Sequence, residues 1–344
     1  MVLIAKVELK NAQDVLAYIR KHDLLDSQFR SSKTETHILV PVKKRFRKSG
    51  VLFEEKAADA LTGAKKKPKT LKAALQDTLS DKQLQQLKSA YDLVGSIAIL
   101  EIDYELREFE LAIAQALLQT NPAIKTVLRK DSGHEGVYRN QKMKFLAGID
   151  TRKTEHIENG VTFVVDVENV YFSPRLANER MRIANEVHSG ESILVMFSGA
   201  APQPIVLAKK TDAREIVGIE INPAGHECGL DGLKKNNIKN VKLICADVHQ
   251  TIPMFVKEKK TFDRIVMNLP KTADQFLDDA LYVSHVGTII HYYDFLHEEE
   301  FSKAEEKVKL ACKRNSMACK ILGIHTCGCQ GIKTYRICVD FIVE

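Results

Sequence analysis

The chain has 344 residues, 44% of them hydrophobic, which is enough for two or three domains with buried cores. No stretch reaches the ~18 apolar residues of a membrane-spanning helix, and the segment from Met1 to Val7 gains charge too early for a signal peptide. The net charge of +6 permits a polyanionic partner without requiring one. We therefore expect a soluble, cytoplasmic protein with no membrane partner.

Basic residues are concentrated in the first fifth of the chain, in the runs 43–48 and 65–69. Solvated loops and nucleic-acid contacts explain such runs about equally well. The cysteines are scattered, as is typical of reduced thiols in a cytosolic protein. The group Cys312, Cys319, His325, Cys327 and Cys329 lacks the paired C-x2-C spacing of structural zinc sites, so no metal site is predicted.

The first domain is predicted to be a small α+β unit over residues 1–64. Strands are expected at Val2–Leu9 and His37–Val42, and apolar residues at helical spacing predict a helix over Asp14–Lys21. Residues 65–72, rich in lysine and containing a proline, are predicted to be a linker.

A middle domain is predicted over residues 73–165. Leucines at helical spacing indicate a helical stretch between Leu71 and Leu87, and a second helix is expected over Glu105–Leu118. Apolar runs predict strands at Val94–Ile102, Thr126–Arg129 and Thr162–Val167.

Residues 166–344 show a regular alternation of strands and helices from Ser192 onward. Short apolar strands separated by helices predict a parallel sheet covered on both faces. The predicted strands are Ser192–Phe197, Glu215–Ile219, Val241–Cys245, Phe262–Asn268 and Gly287–Tyr292, followed by Cys319–His325 and Lys333–Val343.

Polar residues follow three strands of this sheet. Gly199 lies after the first strand, and Glu220 ends the second, about twenty residues later, where a carboxylate can accept hydrogen bonds from a ribose diol. Asp247 ends the third, where it can bind an adenine amine. The loop lacks the glycines that a pyrophosphate needs, which favours S-adenosylmethionine over a dinucleotide, although ordinary polar strand ends are the alternative. The predicted cofactor residues are Phe197, Gly199, Glu220, Ile221, Asp247, Val248 and Asn268.

The fourth strand is followed by the tetrapeptide Asn268–Lys271, which contains Pro270. An amide at this end of an open α/β sheet points to a ligand site. In many methyltransferases an Asn-Pro-Pro-aromatic element at this place binds an exocyclic amine and stacks on the base. Here Leu269 and Lys271 replace its first proline and its aromatic residue, which predicts a nucleic-acid base held without that ring.

Five segments together resemble the archaeal and eukaryotic tRNA (guanine-37-N1)-methyltransferase family. They are Tyr171–Arg180, Val266–Lys271, Ile290–Tyr293, Tyr138-Arg139 with Leu146–Gly148, and Tyr91–Gly95. The resemblance implies a class I S-adenosylmethionine-dependent methyltransferase domain with a Rossmann-like fold, a middle α+β domain and an N-terminal domain that inspects tRNA. It also implies tRNA as the partner and a monomer. Mg2+ is compatible with the chemistry but is not indicated by the sequence.

The resemblance assigns roles to individual residues. Glu179 matches the proposed general base, Arg139 the residue at guanine O6, Tyr171 a pocket wall and Asn268 a base-binding group. Arg139 and Asn268 complete the catalytic set with Glu179. The implied substrate-binding residues are Tyr171, Arg175, Pro270, Lys271 and Arg139. The chemistry agrees, because N1 of guanine must lose its proton before it can be methylated, and a carboxylate can accept that proton.

Two departures and three alternatives remain at this stage. Val195 stands where the family usually has an acidic residue, and Ala201 stands where it usually has glycine. An aminocarboxypropyl transferase of the wybutosine pathway should lack the Asn268–Pro270 element. The other two alternatives are a methyltransferase that also acts on a tricyclic guanosine derivative and a non-catalytic tRNA-binding module.

Overall fold

A computed structural model describes residues 1–57, 70–133, 136, 138 and 140–344. The chain forms two compact units, Met1–Ala74 and Leu75–Glu344, each with its own hydrophobic core. Within the described residues, no helix has the length and apolar character needed to cross a bilayer. Most of the predicted linker 65–72 lies outside the described residues, and so does Arg139.

The N-terminal unit is an antiparallel sheet of four strands with one main helix. Its elements are β1 (Val2–Glu8), α1 (Ala12–Lys21), β2 (Ser32–Lys33), β3 (His37–Pro41), β4 (Val51–Lys56) and α2 (Leu71–Ala74). The strand order is β2-β3-β1-β4. Val15 and Ile19 of α1 pack with Val7 and Val40 of the sheet, so the apolar face read from the sequence is the buried one. Strands β2 and β4 were not predicted.

The second unit begins with a four-stranded sheet and a separate hairpin. Its elements up to residue 166 are α3 (Asp81–Gln86), β5 (Asp92–Val94), β6 (Ile97–Leu100), α4 (Glu110–Thr120), β7 (Thr126–Lys130), β8 (Met143–Gly148), β9 (Lys153–Glu158) and β10 (Val161–Asp166). The sheet order is β5-β6-β7-β8, and β9 pairs with β10. Asn159 and Gly160, both with positive φ, make the tight turn of that hairpin.

The single strand predicted over Val94–Ile102 is wrong. Gly95 has φ +55°, and the chain reverses there into the hairpin of β5 and β6. A Cβ on Gly95 would lie 2.1 Å from the carbonyl oxygen of Glu155, so only glycine fits this turn. The helix predicted over Glu105–Leu118 also differs, because it starts as a 3-10 segment and becomes α-helical only in α4.

The remainder of the second unit is the predicted sheet of mainly parallel strands. Its helices are α5 (Ala177–Asn185), α6 (Pro202–Lys210), α7 (Pro223–Lys235), α8 (Val248–Lys257), α9 (Leu277–Tyr282) and α10 (Phe301–Arg314). Its strands are β11 (Ser192–Met196), β12 (Glu215–Glu220), β13 (Val241–Cys245), β14 (Arg264–Met267), β15 (Ile289–His297), β16 (Cys319–Gly331) and β17 (Thr334–Val343).

The strand order of this sheet is β13-β12-β11-β14-β15-β17-β16. The first five strands are parallel, and β17 runs antiparallel to both its neighbours. The order reverses between β11 and β14, and such a reversal opens a crevice at the carboxyl ends of the strands. Every residue of β11 is buried, as expected of a central strand with helices on both faces.

Candidate active site

A cavity of about 210 Å³ lies at the carboxyl ends of β11, β12, β13 and β14. Its walls come from the loops that follow these strands and from α5, β15 and β17. The predicted residues that line it are Tyr171, Glu179, Phe197, Gly199, Glu220, Ile221, Asp247, Val248, Asn268 and Pro270. The topology therefore brings together residues that are almost 100 positions apart.

The loop after β11 is a tight turn with unusual backbone angles. Phe197, Gly199 and Ala201 have φ of +63°, +57° and +57°. A non-glycine residue in this region carries strain of roughly 1–2 kcal/mol, which the surrounding packing must offset. Ala201 is fully buried and immediately precedes α6, so its methyl group packs in the core where the related family usually has glycine.

Glu220 links the loop that follows β11 to the loop that follows β12. Its Oε2 accepts the N–H of Gly199 at 2.6 Å, and its Oε1 accepts the N–H of Asn222 at 2.8 Å. Burial raises the pKa of Glu220, and hydrogen bonds from three backbone N–H groups offset part of that rise. A carboxylate has about four lone-pair sites, so at least one remains for a hydroxyl donor.

Asp247, which follows β13, and its neighbours form another part of the cavity wall. Asp247 caps α8, because its Oδ1 accepts the N–H of His249 at 2.7 Å, which leaves its other oxygen for a ligand. Ile221 and Val248 add apolar surface beside it. Apolar walls with two carboxylates at the strand ends fit an adenosine, whose ring is flat and whose hydroxyls and amine donate hydrogen bonds.

Glycines in α7 allow the helix to approach the loop after β11 closely. A Cβ on Gly229 would lie 2.8 Å from Cδ1 of Leu243 and 3.1 Å from Cβ of Ala201. A Cβ on Gly225 would lie 3.3 Å from the backbone of Gly199. The small residues of α7 thus let this helix pack closely against the loop that follows β11.

Glu179 lies in the first turn of α5 and lines the same cavity. Its side chain is 9% exposed. Arg182 donates a hydrogen bond to each carboxylate oxygen of Glu179, from Nη2 to Oε1 at 2.7 Å and from Nε to Oε2 at 2.9 Å. The hydroxyl of Tyr293 in β15 donates to Oε1 at 2.6 Å. Oε1 therefore accepts two hydrogen bonds, and Oε2 accepts one from these partners.

Two predicted substrate residues do not line this cavity. Lys271 is exposed and lies outside it, although the preceding residues Asn268 and Pro270 are in its wall. Arg175 lines a neighbouring cavity of about 220 Å³ and contacts Asp92, with Nη2 2.6 Å from Oδ1. Tyr171 lines both cavities, as the predicted pocket wall would.

Several residues that line the cavity have no role predicted from the sequence, among them Tyr293, Phe276 and Arg336. Tyr293 binds Glu179, and Phe276 packs edge-on against Phe197 with ring centroids 4.8 Å apart. Arg336 of β17 is 8% exposed and donates to the hydroxyl of Tyr171 at 2.7 Å. Tyr293 lies in a motif that carried the family resemblance, whereas nothing local in the sequence marks Arg336 or Phe276.

Two groups of potential metal ligands occur among the described residues, and both include Asp340. One contains His291 and Cys338, and the other contains Glu186 and His325. In the second group, Nη1 of Arg182 lies 2.6 Å from Asp340 and 2.8 Å from Glu186, so a guanidinium already occupies the place of a cation.

Comparison with known families matches three segments of the chain. The TRM5/TYW2 methyltransferase domain matches residues 154–322, the TYW2 N-terminal domain residues 71–151, and the tRNA methyltransferase 5 N-terminal domain residues 5–49. A curated relative from Pyrococcus abyssi, tRNA (guanine(37)-N(1))-methyltransferase Trm5b, is 32% identical over 100% of both chains. The chain belongs to this methyltransferase family. It is an enzyme, as the motifs predicted, and not a non-catalytic module.

Other relatives of this methyltransferase family agree over the whole length. The Trm5b protein of Methanocaldococcus jannaschii is 30% identical and covers 100% of this chain and 99% of its own. The crystal structure of Pyrococcus abyssi Trm5b matches with a TM-score of 0.71 at 31% identity, covering 100% of each chain. A complex of aTrm5 with tRNALeu matches with a TM-score of 0.73 at 25% identity, covering 99% of this chain and 100% of its own. The predicted fold class is thereby confirmed.

Proposed function

We propose that this methyltransferase transfers a methyl group from S-adenosylmethionine to N1 of guanosine 37 in tRNA. Glu179, Asn268 and Glu220 line one cavity, and this observation carries the proposal. One carboxylate is suited to a ribose and the other to a proton transfer, with an amide beside them for a base. S-adenosylmethionine, when bound, supplies an electrophilic methyl group.

The residues of the base side would prepare guanine N1 as a nucleophile. Glu179 would accept the N1 proton through Oε2, because Oε1 already accepts hydrogen bonds from Arg182 and Tyr293. The negative charge left on the base spreads onto O6, where the resemblance places Arg139. A cation or amide donor at O6 stabilises that charge in a site with little water.

Phe197, Gly199, Glu220, Ile221, Asp247 and Val248 are proposed to bind the adenosine part of the cofactor. Glu220 and Asp247 would accept hydrogen bonds from the ribose and the adenine amine. Asn268 and Pro270 would hold the guanine, and Tyr171 would form the wall behind it. The exposed positions of Arg175 and Lys271 suit contacts with the tRNA backbone rather than with the base.

Methylation of a tricyclic guanosine derivative is a second candidate. A relative from Saccharolobus solfataricus, tRNA 4-demethylwyosine(37)-methyltransferase Taw21, is 30% identical over 72% of this chain and 89% of its own. The second cavity behind Tyr171 would give room for a base larger than guanine. Aminocarboxypropyl transfer stays a further alternative that product analysis separates.

The deciding experiment compares tRNA transcripts with guanosine or inosine at position 37. The purified protein and S-adenosylmethionine should yield 1-methylguanosine, identified by mass analysis of the nucleosides, together with S-adenosylhomocysteine. Inosine keeps N1–H and O6 and lacks only the exocyclic amine, so slower methylation of inosine would assign that amine to a contact such as Asn268. A product carrying an aminocarboxypropyl group, or no product, would refute the proposal.

The domain roles and the monomeric state are also proposals. The second unit would hold the whole reaction, and the N-terminal unit would recognise tRNA away from position 37. Sedimentation of the purified enzyme with and without tRNA would measure the stoichiometry, and a one-to-one complex is expected.

A further inference from the structure

Glu179 is the end of a network of buried and half-buried polar side chains that extends beyond the cavity. Arg182 links Glu179 to Asp340 of β17, with Nη1 2.6 Å from Oδ2 of that aspartate. His291 of β15 links Asp340 to Arg264 of β14, which is completely buried. Apart from Glu179, none of the residues in this network lines the cavity that would hold the base and the cofactor.

The hydrogen bonds define the charge of His291. Arg264 can only donate, so Nε2 of His291, 2.7 Å from Nη1 of Arg264, must accept. The proton of the ring therefore lies on Nδ1, which donates to Oδ1 of Asp340 at 2.6 Å. His291 is then a neutral imidazole, and it orients Asp340 without cancelling its negative charge. Arg264 is paired with Glu191 through two hydrogen bonds of 2.7 and 3.0 Å.

Arg182 is consequently shared among three carboxylates. It contacts Glu179, Asp340 and Glu186, the last through Nη1 at 2.8 Å. Burial opposes the charge of Asp340, yet the hydrogen bonds from His291 and Arg182 hold the pKa of Asp340 well below its usual range. Asp340 therefore stays an anion and competes with Glu179 for the same guanidinium.

We propose that Arg182 is the positioning residue for Glu179, and that Asp340 holds Arg182 in place while sharing its positive charge with Glu179. A carboxylate gripped by an arginine of its own would be a poor proton acceptor. Sharing the guanidinium keeps the orientation that the two hydrogen bonds give to Glu179, while part of the positive charge of Arg182 is balanced by Asp340 and Glu186. This inference rests on the proposed function, in which Glu179 takes the proton from guanine N1.

Other titratable or charged groups lie around Glu179 and Arg182. Tyr293 of β15 donates to Glu179, Cys327 of β16 and Cys338 of β17 interact with its charge, and Arg336 of β17 lines the same cavity. Glu186 and Asp340 contact Arg182, and His291 and His325 contact Asp340. Burial raises the pKa of Cys327 and of Cys338, and nearby carboxylates raise both further, so the thiols stay neutral. His325 lies 3.2 Å from Asp340.

The test is the pH profile of single-turnover methyl transfer at saturating S-adenosylmethionine and tRNA. The rate should fall on the acidic side as Glu179 becomes protonated. In Asp340→Asn the positive charge of Arg182 is no longer shared with Asp340 and stabilises ionised Glu179 more strongly. The acidic limb should therefore move to lower pH by about one unit. In Arg182→Met the buried carboxylate loses its cation, so the limb should move to higher pH. Below both limbs, a shift of one unit changes the rate about tenfold.

Opposite shifts distinguish this role from a purely structural one, which would lower the rate of both variants without moving the limb in opposite directions. Arg182→Lys, which keeps the charge but not the fork, should shift the limb less than Arg182→Met. Matched controls are Asp294→Asn, a buried aspartate bonded to Lys307 instead, and Arg314→Met, which breaks a bidentate ion pair with Asp278. Both controls should keep the wild-type limb.

Thermal melting and calorimetry of cofactor binding show whether each variant folds. If Asp340→Asn fails to fold, Glu186→Gln removes charge from the same guanidinium at a site that is 39% exposed, and it should shift the limb downward by less. Shifts in the same direction, or no shifts, in variants that bind cofactor would overturn the inference while leaving the proposed function intact. Absence of 1-methylguanosine from the wild type, or an unimpaired Glu179→Gln, would instead remove the proposed function.

Discussion

Two carboxylates line the same cavity and are held in different ways. Glu220 bonds to backbone N–H groups of Gly199 and Asn222, which lie in the loops that end β11 and β12. Glu179 bonds to the side chains of Arg182 and Tyr293, and through Arg182 to β17. The carboxylate of Glu220 is thus held by backbone groups of adjoining loops, whereas that of Glu179 is held by side chains, one of which lies 114 residues away in sequence. Substitutions should therefore act locally on the first and over long distances on the second.

The largest effect is expected from Glu179→Gln. The amide keeps the shape of the side chain but cannot accept the N1 proton, so the single-turnover rate should fall by about 10²–10⁴-fold. Cofactor affinity, measured by calorimetry, should stay close to that of the wild type because Glu220 is untouched. Glu305→Gln, a surface partner of Lys309, is the control. A rate within about threefold of wild type would exclude Glu179 as the base.

Glu220→Ala should act on binding rather than on chemistry. Loss of an ionised acceptor for two ribose hydroxyls costs roughly 1.5–3 kcal/mol, or about 10- to 100-fold in the dissociation constant of S-adenosylmethionine. Glu220→Gln retains an acceptor oxygen and should lose less. Titration calorimetry would measure both. Unchanged affinity in the alanine variant would place the ribose elsewhere.

Gly229→Ala should lower the free energy of unfolding through packing alone. The new methyl group would lie 2.8 Å from Leu243 and 3.1 Å from Ala201, so the helix or the loop must move. Overpacking of this kind costs about 1–3 kcal/mol, of which the better helix propensity of alanine returns up to about 1 kcal/mol. Chemical denaturation would measure the loss. Adding Leu243→Val should recover part of it, and an unaltered stability would contradict the close packing.

Removal of residues 1–74 should have the smallest effect on methyl transfer itself. Every described residue of the cavity lies in the unit Leu75–Glu344, which has its own core. The truncated enzyme should bind cofactor and methylate an isolated anticodon stem-loop at close to the full-length rate, yet discriminate less well between intact and misfolded tRNA. Aggregation would show that the boundary is wrong, and full discrimination would show that the N-terminal unit does not inspect tRNA.

Sequence patterns predicted the strands of the parallel sheet well. Val241–Cys245 has the predicted bounds, and β11, β12 and β14 differ from theirs by one or two residues at an end. Prediction was weakest in the middle region. The sequence predicts one strand through the turn at Gly95, because the apolar run continues through it and the close approach to Glu155 leaves no local signal.

The sequence by itself determined the strand–helix alternation, the polar residues at the strand ends and the motifs of the family. These depend on residues near one another along the chain, whose hydrophobic spacing sets the local structure. Only the tertiary structure decided that Lys271 lies outside the cavity, that Arg336 lies inside it, and that Asp340 shares a guanidinium with Glu179. Such contacts join α5 to β17 across more than 150 residues, and they follow from sheet order and side-chain packing rather than from any local pattern.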